Sequence, residues 1–130
     1  MKRDHGKHNK AVCDFLHLNS GDKVKCNDWI ITTAFYSSIH FIDHILFPLE
    51  HNGKKFSNIS EAHNNISSQS VHQTRGILVN LYLTKINTAY KFLISESQSA
   101  RYSRYDINEA TSNLAVKHLE AICKECDKNK

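Results

Sequence analysis

The strongest pattern of apolar and polar positions runs from Trp29 to Leu49. Ile31, Ala34, Phe35, Ser38, Ile42, Ile45, Leu46 and Leu49 recur at steps of three and four, the spacing that aligns one face of an α-helix. A second stripe, Trp29, Thr33, Tyr36, His40, Asp43 and Phe47, runs beside it, so most of the circumference is apolar or aromatic. Such a helix is expected to be central and to touch several neighbours. Asn27 or Asp28 can cap its start, and Pro48 ends it. A short first helix is predicted over about 7–18 from Ala11, Phe15 and Leu18, stopped by Asn19-Ser20-Gly21-Asp22. Residues 50–70 are rich in Asn and Ser, which predicts a short helix near Ser60–Asn65 or a mobile functional loop. Helical spacing returns at Val71, first through Thr74, Ile77, Leu78 and Leu81 and then through Ile86, Ala89, Tyr90, Leu93 and Ser97. The spacing leaves open whether this is one helix or two with a break near Thr84. A polar turn is expected over 97–106, and a last helix from Ile107 to about Glu125 should bury Ala110, Leu114, His118, Ala121 and Ile122. No strand pattern of comparable strength appears. The pattern predicts an all-α, compact up-and-down bundle of four to five helices.

Composition narrows this further. The 130 residues, 40% apolar and 23% charged, are enough for a single globular domain with one modest core. Within it, residues 1–10 read as a basic flexible N-terminus and 127–130 as a tail. Four Gly and one Pro are too few for a sandwich of many short strands. A net charge of +4 is too small for a generic DNA-coating protein, but its distribution is uneven. Lys54, Lys55, Arg75, Lys85, Lys91, Arg101 and Arg104 are opposed only by Glu61 and Glu96, a block that can face phosphate or simply solvent. The basic start has no apolar run behind it, so it does not read as a secretory signal, and the expected location is the cytoplasm. His40, Asp43 and His44 inside the apolar stretch argue for a core helix and against a membrane span.

Two clusters invite a metal reading. Cys123-x-x-Cys126 is half of a zinc knuckle, with Cys13 and Cys26 as distant candidates for the other half. His40-x-x-x-His44 puts two imidazoles on one helical face, where His72 and His118 can join them. Reduced, half-buried thiols and hydrogen-bonded core histidines are the simpler reading, so no metal or other cofactor is expected. The most informative stretch is His72-Gln-Thr-Arg75-Gly-Ile-Leu-Val-Asn80-Leu-Tyr82. On a helix its imidazole, guanidinium and phenol fall within a connected arc, a donor fork beside a stacking surface.

Together with Asp28-Trp29-Ile-Ile-Thr-Thr-Ala34-Phe-Tyr36-Ser-Ser-Ile-His40 and Ser99-Ala-Arg101-Tyr102, that stretch resembles the HEPN domain family, small helical domains of toxin–antitoxin, defence and RNA-processing systems. The resemblance covers about residues 12–123. It implies a helical bundle, usually a homodimer, whose shared cleft faces RNA or a nucleotide, and it admits a cognate partner protein. Active HEPN ribonucleases carry Arg, four to six residues and His, often followed one residue later by Tyr. This chain reads Arg75, four residues, Asn80, Leu81, Tyr82, so Arg and Tyr match and His does not. An amide can neither take a proton from a 2′-hydroxyl nor give one to the leaving oxygen. His72, one turn before Arg75, is the candidate substitute; Arg3-x-x-x-x-His8 also fits the spacing but lies in the charged start.

Three functional readings follow. The first is a HEPN-like dimer that binds RNA or a nucleotide through Arg75, Asn80, Tyr82, Arg101, Tyr102 and His40 without an intact ribonuclease motif. The second is an active metal-independent endoribonuclease, with Arg75 stabilising the pentacovalent phosphate and His72 or His40 as acid or base. The third is a helical interaction module in which Arg75 pairs with an acid such as Asp43.

Overall fold

The computed structural model describes residues 2–21 and 24–129. Met1, Asp22 of the predicted helix stop, Lys23 and Lys130 of the expected tail lie outside the described residues. Six α-helices and one small hairpin make up the fold there: α1 (Lys2–Asn19), α2 (Asn27–Leu46), β1 (Leu49–His51), β2 (Lys54–Phe56), α3 (Ile59–Asn65), α4 (Val71–Tyr82), α5 (Asn87–Tyr102) and α6 (Glu109–Asn129). The break near Thr84 is a single 3₁₀ turn, Thr84–Ile86, between α4 and α5.

The central helix is α2, which packs against α1, α4, α5 and α6. From its first stripe Ile31, Ala34, Phe35, Ser38, Ile42 and Leu46 are buried. The second stripe divides: Asp43 and Phe47 are buried, while Trp29 and Tyr36 reach solvent. That division places a polar, partly exposed strip of α2 beside α4 and α5, where the candidate site lies.

Several sequence expectations are corrected. Residues 2–10, expected as a flexible start, form the first turns of α1. The predicted face of that helix is turned outward, with Phe15 64% and Leu18 84% exposed, and the buried seam instead carries Gly6 and Cys13. Small residues let the two helices approach closely, and a count of large apolar positions cannot register such a seam. Ser37 Oγ donates to the Gly6 carbonyl at 2.7 Å, closing the contact between α1 and α2. A Cβ at Gly6 would stand 2.9 Å from the Phe41 ring, whereas one at Gly76 would meet only Tyr90 at 3.7 Å. Gly6→Ala is therefore expected to destabilise, since overpacking costs about 1–3 kcal/mol against about 1 kcal/mol of helix propensity. Gly76→Ala should stabilise by about 0.4–1 kcal/mol. Urea unfolding of the two variants checks the opposite signs.

The buried face of α6 is Ser112, Ala115, Val116, Leu119, Ile122 and Cys126, rotated from the predicted one, and Leu114 is 45% exposed. Asn27 explains part of the rotation: its amide donates to the Ile107 carbonyl at 2.9 Å and accepts from Ser112 Oγ at 3.0 Å, fixing α6 through polar residues. Residues 97–102, expected in a polar turn, complete α5. The hairpin was not predicted because its strands have three residues each, too few for alternation to show. Its local signal was Asn52-Gly53, which turn at φ 51° and 77° and pair His51 with Lys54.

Candidate functional site

The predicted site residues separate into a buried group, a surface group and two outliers. At the centre of the buried group is Arg75. Its Nε and Nη2 donate to Asp43 Oδ1 and Oδ2 at 2.7 and 3.0 Å, and both residues are nearly inaccessible, at 3% and 4%. Burial alone would lower the Arg75 pKa, but the Asp43 carboxylate more than offsets it and holds the guanidinium above its ordinary value. Arg75 is thus committed inside the protein, on the partner named in the structural reading, and does not open onto a ligand.

The remaining guanidinium nitrogen reaches His72. Arg75 Nη1 stands 3.1 Å from His72 Nδ1. A guanidinium can only donate, so Nδ1 accepts and the neutral imidazole carries its proton on Nε2. Nε2 has no hydrogen-bond partner among the described residues and is not one of the buried unpaired atoms. His72 therefore offers an outward N–H donor. Burial chiefly lowers its pKa, helped by Arg75 and then Arg101 and opposed by Asp43. The Tyr90 hydroxyl donates to the His72 carbonyl at 3.3 Å and fixes the backbone of this turn.

Arg101 supplies the surface group. Its Nη1 donates to Tyr36 Oη at 2.6 Å and its Nε to the Ser97 carbonyl at 3.2 Å. The guanidinium carbon lies 5.3, 5.4 and 5.2 Å from the ring centroids of Phe35, Tyr36 and Tyr102. Phe35 also meets the His72 ring edge-on, with centroids 5.1 Å apart. Arg101 makes no ion pair among the described residues. Tyr102, 76% exposed, leaves a free aromatic face beside it. His40 borders the same strip of α2, stacked on His5 of α1 at 3.7 Å, with its buried Nδ1 lacking a partner among the described residues.

Asn80 and Tyr82 do not join this group. Asn80 Oδ1 accepts from Asn87 at 3.0 Å, and Tyr82 Oη pairs with His51 of the hairpin at 2.5 Å. His51 was missed in the sequence, and only the Asn52-Gly53 turn signals that the chain folds back to deliver it. Among the described residues no three His, Cys, Asp or Glu gather where a metal could sit. Three histidines of the metal reading have separate partners: His40 stacks on His5, His72 accepts from Arg75, and His118 packs on Phe92 at 4.7 Å. The four cysteines are free, and burial pushes the Cys13 thiol up to about 11. No described helix is long and apolar enough to cross a membrane.

His40, His72 and His118 all have lowered pKa values, with burial the largest cause in each. The unfolded chain therefore binds more protons than the folded one from about pH 6.5 downward, and stability present above that pH falls as pH drops through it. The thermal midpoint should decline from about pH 7 to pH 5, and His40→Gln or His72→Gln should flatten that slope; a midpoint independent of pH would contradict the assignment. Compared with models of known protein families, with curated proteins and with solved structures, the chain matches none of them.

Proposed function

We propose that this protein is a HEPN-like helical domain that binds RNA or a nucleotide, as a homodimer, without efficient cleavage. The observation that carries the reading is the surface of Arg101, His72, Tyr36 and Tyr102: a guanidinium without a carboxylate partner among the described residues, a neutral imidazole donor and an exposed aromatic face. Cationic donors beside stacking rings suit a phosphate with an attached base. The sequence resemblance supports the same class of ligand and the dimer.

Two features favour binding over catalysis. Asn80 occupies the position where the ribonuclease motif has His. His72, the substitute, has its free nitrogen protonated while Arg75 occupies the other, so the neutral ring has no lone pair to act as a base. Arg75 itself fits the structural reading, as a residue that positions His72.

Fluorescence anisotropy with labelled single-stranded RNA, and gel analysis of the same RNA after incubation in EDTA, test the proposal. Saturable, salt-sensitive binding with intact RNA is expected. Metal-independent cleavage would establish the ribonuclease reading instead, and absence of binding by RNA and nucleotides would leave the interaction module.

A further inference from the structure

Resting on that binding reading, we infer that the group held at Arg101, His72 and Tyr36 is a terminal phosphate monoester, at the end of an RNA strand or on a mononucleotide, and not an internal phosphodiester. Once the internal hydrogen bonds are assigned, three kinds of donor remain around the Phe35 ring. Arg101 keeps Nη2, since Nη1 and Nε are engaged by Tyr36 and Ser97. His72 keeps Nε2–H, since Arg75 occupies Nδ1. Tyr36 accepts from Arg101 through its oxygen, so its own hydroxyl proton is left to donate.

These donors come from α5, α4 and α2, three separate elements. Acceptors are missing from the set. Asp43 has both oxygens bound by Arg75 and is 4% exposed. A phosphodiester offers one charge and two non-bridging oxygens, whereas a monoester near neutral pH offers three terminal oxygens and about 1.5–2 charges. Three donors, with no competing carboxylate among the described residues, match the monoester, and the charged groups facing the His72 ring are Arg75, Arg101 and Asp43. Arg75 and Arg101 disfavour its protonation, Asp43 opposes them, and the Tyr90 hydroxyl is held on the His72 carbonyl. Asp43 already neutralises Arg75, so the uncompensated charge beside the donors is that of Arg101, and the match to a monoester rests on the three donors from three elements.

The test uses the full chain and three versions of one short single-stranded RNA: with a 5′-phosphate, with a 3′-phosphate and with hydroxyls at both ends. At least one phosphorylated strand should bind about tenfold tighter than the hydroxyl strand. AMP should compete where adenosine does not. AMP matching the strand's affinity identifies a mononucleotide as the source, and AMP far weaker than the strand identifies an RNA end. Tyr36→Phe, which keeps the ring and removes the hydroxyl donor, should shrink the preference for the phosphorylated strand. Equal binding of all three strands overturns the inference while the RNA-binding reading stands. Binding by none, with AMP also inert, removes both.

Discussion

Arg75→Ala should lower the stability of the folded protein by about 3–5 kcal/mol, the cost of breaking a buried ion pair and stranding one charge. The Arg75 fork holds both oxygens of Asp43, and the pair lies between α4 and α2 with almost no access to water. Without the guanidinium the carboxylate either stays charged in the core or takes up a proton there. Asp43→Ala should cost a similar amount for the mirror reason. Arg75→Met combined with Asp43→Leu removes both charges and refills the space, so it should recover much of the loss, as apolar replacements of buried pairs often do. Urea unfolding of the two single variants and the double one measures the coupling directly. A loss under about 1 kcal/mol in either single variant would mean that the pair behaves like an exposed one.

The second large effect falls on binding. Arg101→Ala should weaken RNA affinity about ten- to a hundredfold, the value of a charge-assisted phosphate contact. It should also lower the slope of log affinity against log salt by about one. Its effect on stability should stay within about 1 kcal/mol, because what is lost is a partly exposed guanidinium over three rings and two hydrogen bonds. Arg101→Lys keeps the charge and loses the planar fork, so it should fall between. The two arginines thus separate by measurement: Arg75 moves chiefly stability, and Arg101 moves chiefly affinity. An Arg101→Ala protein with wild-type affinity and salt slope would remove Arg101 from the site.

How much of this was legible in the sequence depends on what held each element in place. The central helix could be read because large apolar residues determine its packing, and Ile31, Phe35 and Ile42 are buried as their spacing required. The faces of α1 and α6 could not, because Gly6, Ser37, Asn27 and Ser112 orient them through close approach and hydrogen bonds. The residues of the candidate site are nearly all visible in the sequence: His72, Arg75, Arg101, Tyr102 and His40 stand out by residue type and spacing, and Tyr36 lies in the Asp28–His40 stretch. Their roles are not. Sequence spacing put His72, Arg75 and Tyr82 on one arc, but an arc of α4 has an inner and an outer edge. Asp43, distant in sequence, draws Arg75 inward. The hairpin brings His51 to Tyr82 and takes the phenol away from the cluster. The block of positive charge also resolves into the buried, paired Arg75, one aromatic-lined guanidinium, Arg101, and exposed residues such as Lys54 and Lys55 on the hairpin.

The division between an internal arginine that orients and an external surface that binds meets at the His72 ring. Long-range ¹H–¹⁵N correlation of the histidine side chains reads it directly, before and during titration with RNA. At about pH 7 the His72 signals should show Nε2 protonated and Nδ1 bare, and they should shift on RNA addition while the protein stays folded. A ring protonated on Nδ1, or His72 signals that do not move at saturating RNA, would contradict the account.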